Sequence, residues 1–140
     1  MHFTVLLTLD FSSETPIYQQ IRNGIVLGIA DGRLLAGEKL PPIRLLAGEL
    51  GVNVMTVNKA YQLLKQEGYL KTDRRNGAIV MPMPGAPSPR PFGSDPDSPV
   101  YQSLRLLLSE LSVRGVTREE LLTACSQIYD ELHKKGDSNL

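Results

Sequence analysis

Apolar residues recur at every third or fourth position in several windows of the chain, with polar residues between them. That spacing puts the apolar side chains on one face of an α-helix. The first window holds Ile17, Ile21, Ile25 and Ile29, with Val26 beside them. Thr15-Pro16 predicts its start, with a hydroxyl at the N-cap and proline as the first helical residue. Asp31-Gly32 predicts its end. Gly24 and Gly28 lie inside it, each costing roughly 1 kcal/mol relative to alanine, and their spacing suggests that another backbone comes close. The second window runs from Ile43 to Leu50, with Ile43, Leu46, Ala47 and Leu50 as its stripe. Gly51 can end that helix, and Asn53 is a good N-cap for a third. In the third, Val57, Ala60, Tyr61 and Leu64 share a face, and Glu67-Gly68 closes it. Two short helices joined by a tight glycine-containing turn make a helix-turn-helix.

Other stretches read as strand or linker. Phe3 to Leu9 is β-prone and predicts an extended N-terminal arm or a short strand. Leu35 to Pro42 is a connector in which Lys39-Leu40 can form a short strand. Tyr69-Leu70-Lys71-Thr72 and Ala78-Ile79-Val80-Met81 predict a hairpin. Its tip is Asp73-Arg74-Arg75-Asn76-Gly77, where Asn-Gly favours the positive φ of a tight turn. Two arginines on a hairpin that follows a helix-turn-helix read as a basic wing. Pro82 to Pro99 is rich in proline, glycine and serine and predicts a stiff linker.

Two more helices follow. Ser98-Pro99 opens one with the stripe Val100, Leu104, Leu107, Leu108 and Leu111, and Gly115 stops it. Thr117 to Glu120 is a capping box that opens the last, lined by Leu121, Ala124, Cys125, Ile128 and Leu132. Lys134-Lys135-Gly136 predicts its end. Leu106, Val113, Leu122 and Tyr129 add apolar surface outside these stripes. Leaving that surface wet is costly at roughly 25 cal/mol per Å², so a second copy of the chain is expected to cover it. The predicted fold class is mainly α with a small β-hairpin wing. An N-terminal winged helix-turn-helix domain precedes a C-terminal antiparallel helical pair. The expected division is 1–13 arm, 14–82 winged helix-turn-helix, 83–97 linker and 98–136 dimerisation segment.

Charge sharpens this picture. The formal net charge is +0 over 140 residues, which argues against nonspecific polyanion binding by the whole chain. Residues 1–90 nevertheless carry ten Lys+Arg against seven Asp+Glu, while residues 91–140 carry five against eight. A basic front and an acidic back suit a nucleic-acid-binding domain followed by an assembly segment. The third helix carries short polar groups at its N-terminus and Lys59 one turn later. That suits a helix end entering a DNA major groove, against the alternative of an ordinary surface helix. Asn53, Met55, Thr56 and Asn58 would read or abut base edges. Arg44, Lys59, Arg74 and Arg75 would neutralise phosphates, with Asn76 and Gly77 at the wing tip.

Enzyme chemistry finds no support in the residues. His2 and His133 have no metal-ligand partner at useful spacing, so no metal or cofactor is expected. No serine or cysteine sits beside a base, Cys125 reads as a small core residue, and no glycine-rich phosphate loop follows a strand. A single cysteine excludes an internal disulfide and points to a reducing cytoplasm. No apolar run is long enough to span a bilayer, so no membrane is expected. The first ten residues make a poor signal peptide.

The ordered series Pro16 to Ile21, Gly37 to Arg44, Leu46-Ala47, Leu50 to Asn53, Thr56 to Tyr61 and Glu67-Gly68 resembles GntR-family winged-helix transcription regulators. The short two-helix tail resembles the YtrA subfamily. The resemblance implies a dimeric bacterial repressor that binds double-stranded operator DNA, often at genes for ABC-type transporters. It implies that Arg44 contacts DNA, that Thr56 stands near the start of the recognition helix, and that Gly77 approaches the minor groove. The chain departs from the family pattern at four positions. Pro42 stands in place of a serine, Val54 of an arginine, Arg75 of a glycine and Leu45 of an acidic residue. Val54 or Met55 would then meet a thymine methyl rather than a guanine. A small-molecule effector of unspecified identity would sit at the dimer interface or against the linker. The alternative function is a winged-helix protein-interaction module that does not bind DNA.

Overall fold

A computed structural model describes residues 7–75, 77–82 and 92–137 of the chain. The elements in order are α1 (Ile17–Ala30), α2 (Ile43–Leu50), α3 (Val54–Gln66), β1 (Leu70–Asp73), β2 (Gly77–Val80), α4 (Pro99–Val113) and α5 (Arg118–Asp137). The chain divides into two compact units. Pro84–Glu131 forms one; the residues before it, with the C-terminal end from Leu132, form the other.

In the first unit, α1 starts one residue later than Thr15-Pro16 predicts. Pro16 is itself the N-cap, at φ −56° and ψ 147°, and no side chain caps the helix. The pyrrolidine ring fixes φ but leaves ψ free, and with ψ extended Pro16 stands just outside the helix. Its carbonyl accepts from the amides of Gln19 and Gln20 at 3.0 and 3.1 Å. Thr15 instead offers its carbonyl to Gln20 Nε2 at 2.8 Å. Gln20 also ties down the arm, since its Oε1 accepts from the Asp10 amide at 2.8 Å and its Nε2 donates to the Asp10 carbonyl at 2.9 Å. Residues 7–10 of the arm form no strand. Leu7 is buried in the core and Leu9 packs against it, so side-chain burial holds this stretch in place. The rest of the predicted arm, residues 1–6, lies outside the described residues.

Helix α1 ends where expected. Asp31 is its C-cap and is buried. Arg33 Nε donates to both Asp31 carboxylate oxygens at 2.8 and 2.7 Å, which compensates the buried charge. The close approach expected at the helical glycines occurs at Gly28, and it is made by Leu34. The Leu34 amide donates to the Gly28 carbonyl at 2.9 Å. A Cβ on Gly28 would lie 3.2 Å from Leu34 Cδ1.

Strands β1 and β2 pair antiparallel, with Leu70 opposite Val80 and Asp73 opposite Gly77. The connector before α2 joins them as an isolated bridge between Lys39 and Ile79. The Leu40 amide donates to Ala78 O and the Val80 amide to Glu38 O, each at 2.9 Å. The core beneath holds Ile21 and Ile25 from α1, Leu46 and Ala47 from α2, and Val57, Ala60, Tyr61 and Leu64 from α3, with Leu70 and Val80 from the hairpin. Each predicted stripe of the first three helices therefore points inward.

The second unit contains α4 and most of α5. The Ser98 hydroxyl caps α4 by accepting from the Tyr101 amide at 3.3 Å, and Pro99 occupies the first turn. Gly115, at φ 88°, makes the turn between the helices. The Thr117 capping box forms in both directions, with Glu120 N donating to Thr117 Oγ1 at 3.2 Å and Thr117 N to Glu120 Oε2 at 2.9 Å. Helix α5 continues through Gly136 to Asp137, past the end that Lys134-Lys135-Gly136 predicts. A glycine ends a helix only where its backbone turns left-handed, and here it stays helical. No residue of α4 is buried. Val100, Leu107 and Ile128 of the predicted stripes, and Leu106, Val113, Leu122 and Tyr129 outside them, are all more than half exposed in the single chain. Cys125, expected as a core residue, is also exposed. It lies on a stripe that the chain's own packing does not cover. Residues 83–91, most of the predicted linker, lie outside the described residues.

Candidate nucleic-acid interface

The central feature is the first turn of α3 and the scaffold that holds it. Helix α2 ends in Gly51, which adopts the left-handed conformation at φ 70° and ψ 33°. Glycine takes this geometry without the Cβ clash that other residues suffer. The chain then reverses through Val52 into Asn53, whose Oδ1 accepts from the Met55 amide at 2.7 Å. This cap satisfies one of the amide donors that a helix start leaves open, and it fixes where α3 begins.

Three contacts hold the rest of α3. Its apolar face, Val57, Ala60, Tyr61 and Leu64, is buried. α1, α2 and β1 all pack against it. The Tyr61 hydroxyl donates to the Pro41 carbonyl at 2.8 Å, tying α3 to the connector before α2. Burial pushes the Tyr61 phenol pKa well above its ordinary value. At the far end Arg22 of α1 grips Glu67, the C-cap of α3, through Nε at 3.1 Å and Nη2 at 2.5 Å. The Arg22 guanidinium also lies 5.8 Å from the Tyr69 ring centroid. Hydrogen bonding to Glu67 raises the pKa of Arg22 further above its ordinary value.

What remains outward on the first turn is Asn53, Val54 and Met55, all exposed. Thr56 and Asn58 are half-buried. Lys59 is exposed, and its Nζ stands 4.0 Å from the Tyr18 ring centroid. The ammonium thus makes a cation–π contact with α1. Arg44 is exposed on the first turn of α2.

The hairpin tip carries Arg74 and Arg75, both exposed. The Arg75 amide donates to Asp73 Oδ1 at 2.8 Å, so an aspartate side chain shapes the turn. Gly77 has φ 68°. Asn76, expected at this tip, lies outside the described residues. Among the described residues no group of His, Cys, Asp and Glu could hold a metal ion, and no helix is long and apolar enough to cross a membrane.

The structure also shows residues that pattern reading passed over. Lys71 is a further exposed cation, on β1, opposite Ile79. Its place in a short amphipathic strand was the available signal. Tyr18 and Arg22 position α3 from another helix, and no local pattern announces such long-range partners.

Comparison with known proteins gives a consistent picture. Residues 16–80 match the family model described as bacterial regulatory proteins, gntR family. The chain is similar to the HTH-type transcriptional repressor YtrA of Bacillus subtilis, 37% identical over 75 residues, covering 54% of this chain and 58% of that one. Among solved structures it is similar to YtrA of Sulfolobus acidocaldarius, a GntR-family transcription factor. That likeness has a TM-score of 0.59 and 34% identity, and covers 77% of this chain and 98% of that one. A structure from Listeria monocytogenes described as a transcriptional antiterminator gives a TM-score of 0.74 at 28% identity, covering 89% and 90%. Against three longer curated relatives, the chain spans 61%, 16% and 20% of their length.

Proposed function

The chain belongs to the GntR family of bacterial regulatory proteins, with a YtrA-like build, and from that premise we propose that it is a sequence-specific DNA-binding transcription regulator that acts as a dimeric repressor. The observation that carries this reading is the first turn of α3. It is capped by Asn53, held by Tyr61 and Arg22, and left open to solvent at Val54 and Met55. An element held so firmly, with its N-terminal end outward, suits insertion into a major groove. The positive end of its helix dipole favours phosphate alongside. The names of the relatives as transcriptional regulators and repressors support the same reading.

The roles of individual residues follow from position. Arg44, Arg74 and Arg75 are exposed cations and neutralise phosphates, with Lys71 beside them. Lys59 joins them only by leaving Tyr18. Asn53, Val54, Met55, Thr56 and Asn58 face base edges. Two copies associate through α4 and α5, covering Val100, Leu104, Leu107, Leu108 and Leu111 with Leu121, Cys125, Ile128 and Leu132. The dimer axis would then set two α3 helices about 34 Å apart, in successive major grooves. A dimer on a promoter blocks polymerase in the cytoplasm, at its own operon and at transporter-type genes. A small-molecule effector at the dimer interface would act by changing the spacing of the two α3 helices.

A second reading has one observation behind it. The outward tip of α3 is apolar, with Val54 41% and Met55 69% exposed. That favours a protein partner over a polyanion. Gel shifts with the gene's own upstream DNA at two salt concentrations separate the two. A regulator gives a shift at low salt that weakens steeply as salt rises. No shift at low salt would leave the protein-interaction reading.

A further inference from the structure

The first turn of α3 presents an unusual set of groups for reading bases. Val54 and Met55, its first two helical residues, are 41% and 69% exposed, and neither carries a strong hydrogen-bond donor or acceptor. The side-chain oxygen of Asn53 is already engaged by the Met55 amide at 2.7 Å. Thr56 and Asn58, the remaining polar candidates, are half-buried. The exposed side chains of the first helical turn that follow the Asn53 cap are therefore apolar.

Among the groups that base edges project into the major groove, the C5-methyl of thymine is the bulky apolar one. Apolar side chains set against a cytosine amino group or a guanine oxygen would desolvate it and return no hydrogen bond. Set against thymine methyls they bury apolar surface on both sides. Accepting the DNA-binding reading above, we infer that Val54 and Met55 make thymine C5-methyl groups the specificity determinant at the centre of each half-site.

The distinguishing property is dependence on a single methyl group. Replacing thymine by uracil removes that methyl and leaves base pairing unchanged. Each methyl left uncovered costs roughly fourfold in Kd, so one contact in each of two half-sites gives about fifteenfold. The test uses the full chain and a duplex it enriches from a random pool. That duplex is prepared in a thymine and a uracil form and titrated at fixed salt. The same titrations are run with the double variant Val54→Ser, Met55→Gln. Both positions are exposed, so circular dichroism is expected to show the variant folded as the parent is. The inference predicts a loss of about fifteenfold on the uracil duplex for the parent. For the variant it predicts binding to the two duplexes within about twofold of each other. Equal binding of both duplexes by the parent overturns the inference while leaving DNA binding intact. Full discrimination retained by the variant overturns it too, because duplex stiffness would then be what is read. Failure to enrich any duplex overturns the DNA-binding reading itself.

Discussion

Tyr61 does two things with one side chain: its ring fills the core and its hydroxyl ties α3 to the Pro41 carbonyl. Removing the hydroxyl in Tyr61→Phe is expected to cost about 1 kcal/mol in urea denaturation. The raised phenol pKa gives the pH dependence a definite sign. Above about pH 10 the unfolded chain loses this proton while the folded chain keeps it, so stability falls as pH rises. Tyr61→Phe should flatten that alkaline decline, and an unchanged slope would mean that Tyr61 is not its source. Arg44 is the opposite kind of residue, exposed and set on the first turn of α2. Arg44→Ala should leave thermal unfolding unchanged and weaken operator binding by about 1–3 kcal/mol in a titration at fixed salt. An unchanged Kd would remove Arg44 from the interface. Arg44 and Tyr61 could both be picked out in the sequence, but the Tyr61–Pro41 bond could not. It spans twenty residues, and periodicity records only neighbours within a turn or two. Lys59 shows the same limit. Its charge was legible, whereas its seat over Tyr18 depends on how α1 and α3 cross.

Elements were the most legible level, because local chemistry starts and stops them. The α2–α3 turn rests on Gly51 in the left-handed conformation at φ 70° and on the Asn53 cap. Nothing lies within 4 Å of a Cβ built on Gly51, so Gly51→Ala tests backbone strain alone. It should cost about 1 kcal/mol in chemical denaturation without changing the fold. No loss would show that this turn is not strained for alanine. Departures from expectation came where two chemistries competed at an element's edge. Thr15 is expected to cap α1 with Pro16 as its first residue, and Pro16, at ψ 147°, takes the cap position instead. Gly136 could have stopped α5, but nothing there required a left-handed residue. In the arm, β-propensity at Leu7 and Leu9 reflected burial against the core rather than strand pairing.

For the whole molecule, the claim is that two copies act together. Leu107 on α4 is 51% exposed in the single chain, so Leu107→Glu should not disturb the folded protomer. Sedimentation of this variant should show monomers and operator binding should fall steeply, because a buried, unpaired carboxylate is costly at an interface. A dimeric variant with undiminished affinity would exclude this face of α4 from the contact. The sequence made the apolar excess of α4 and α5 legible, since their stripes and the extra Leu106, Val113, Leu122 and Tyr129 exceed what two helices can cover. How a second copy covers that excess is written in no single chain. The most direct test of the account is a hydroxyl-radical footprint of the full chain on its own upstream DNA. The account predicts two protected blocks on one face of the duplex, centred about one helical turn, or roughly 34 Å, apart. A single block, or uniform cleavage at low salt, would contradict it.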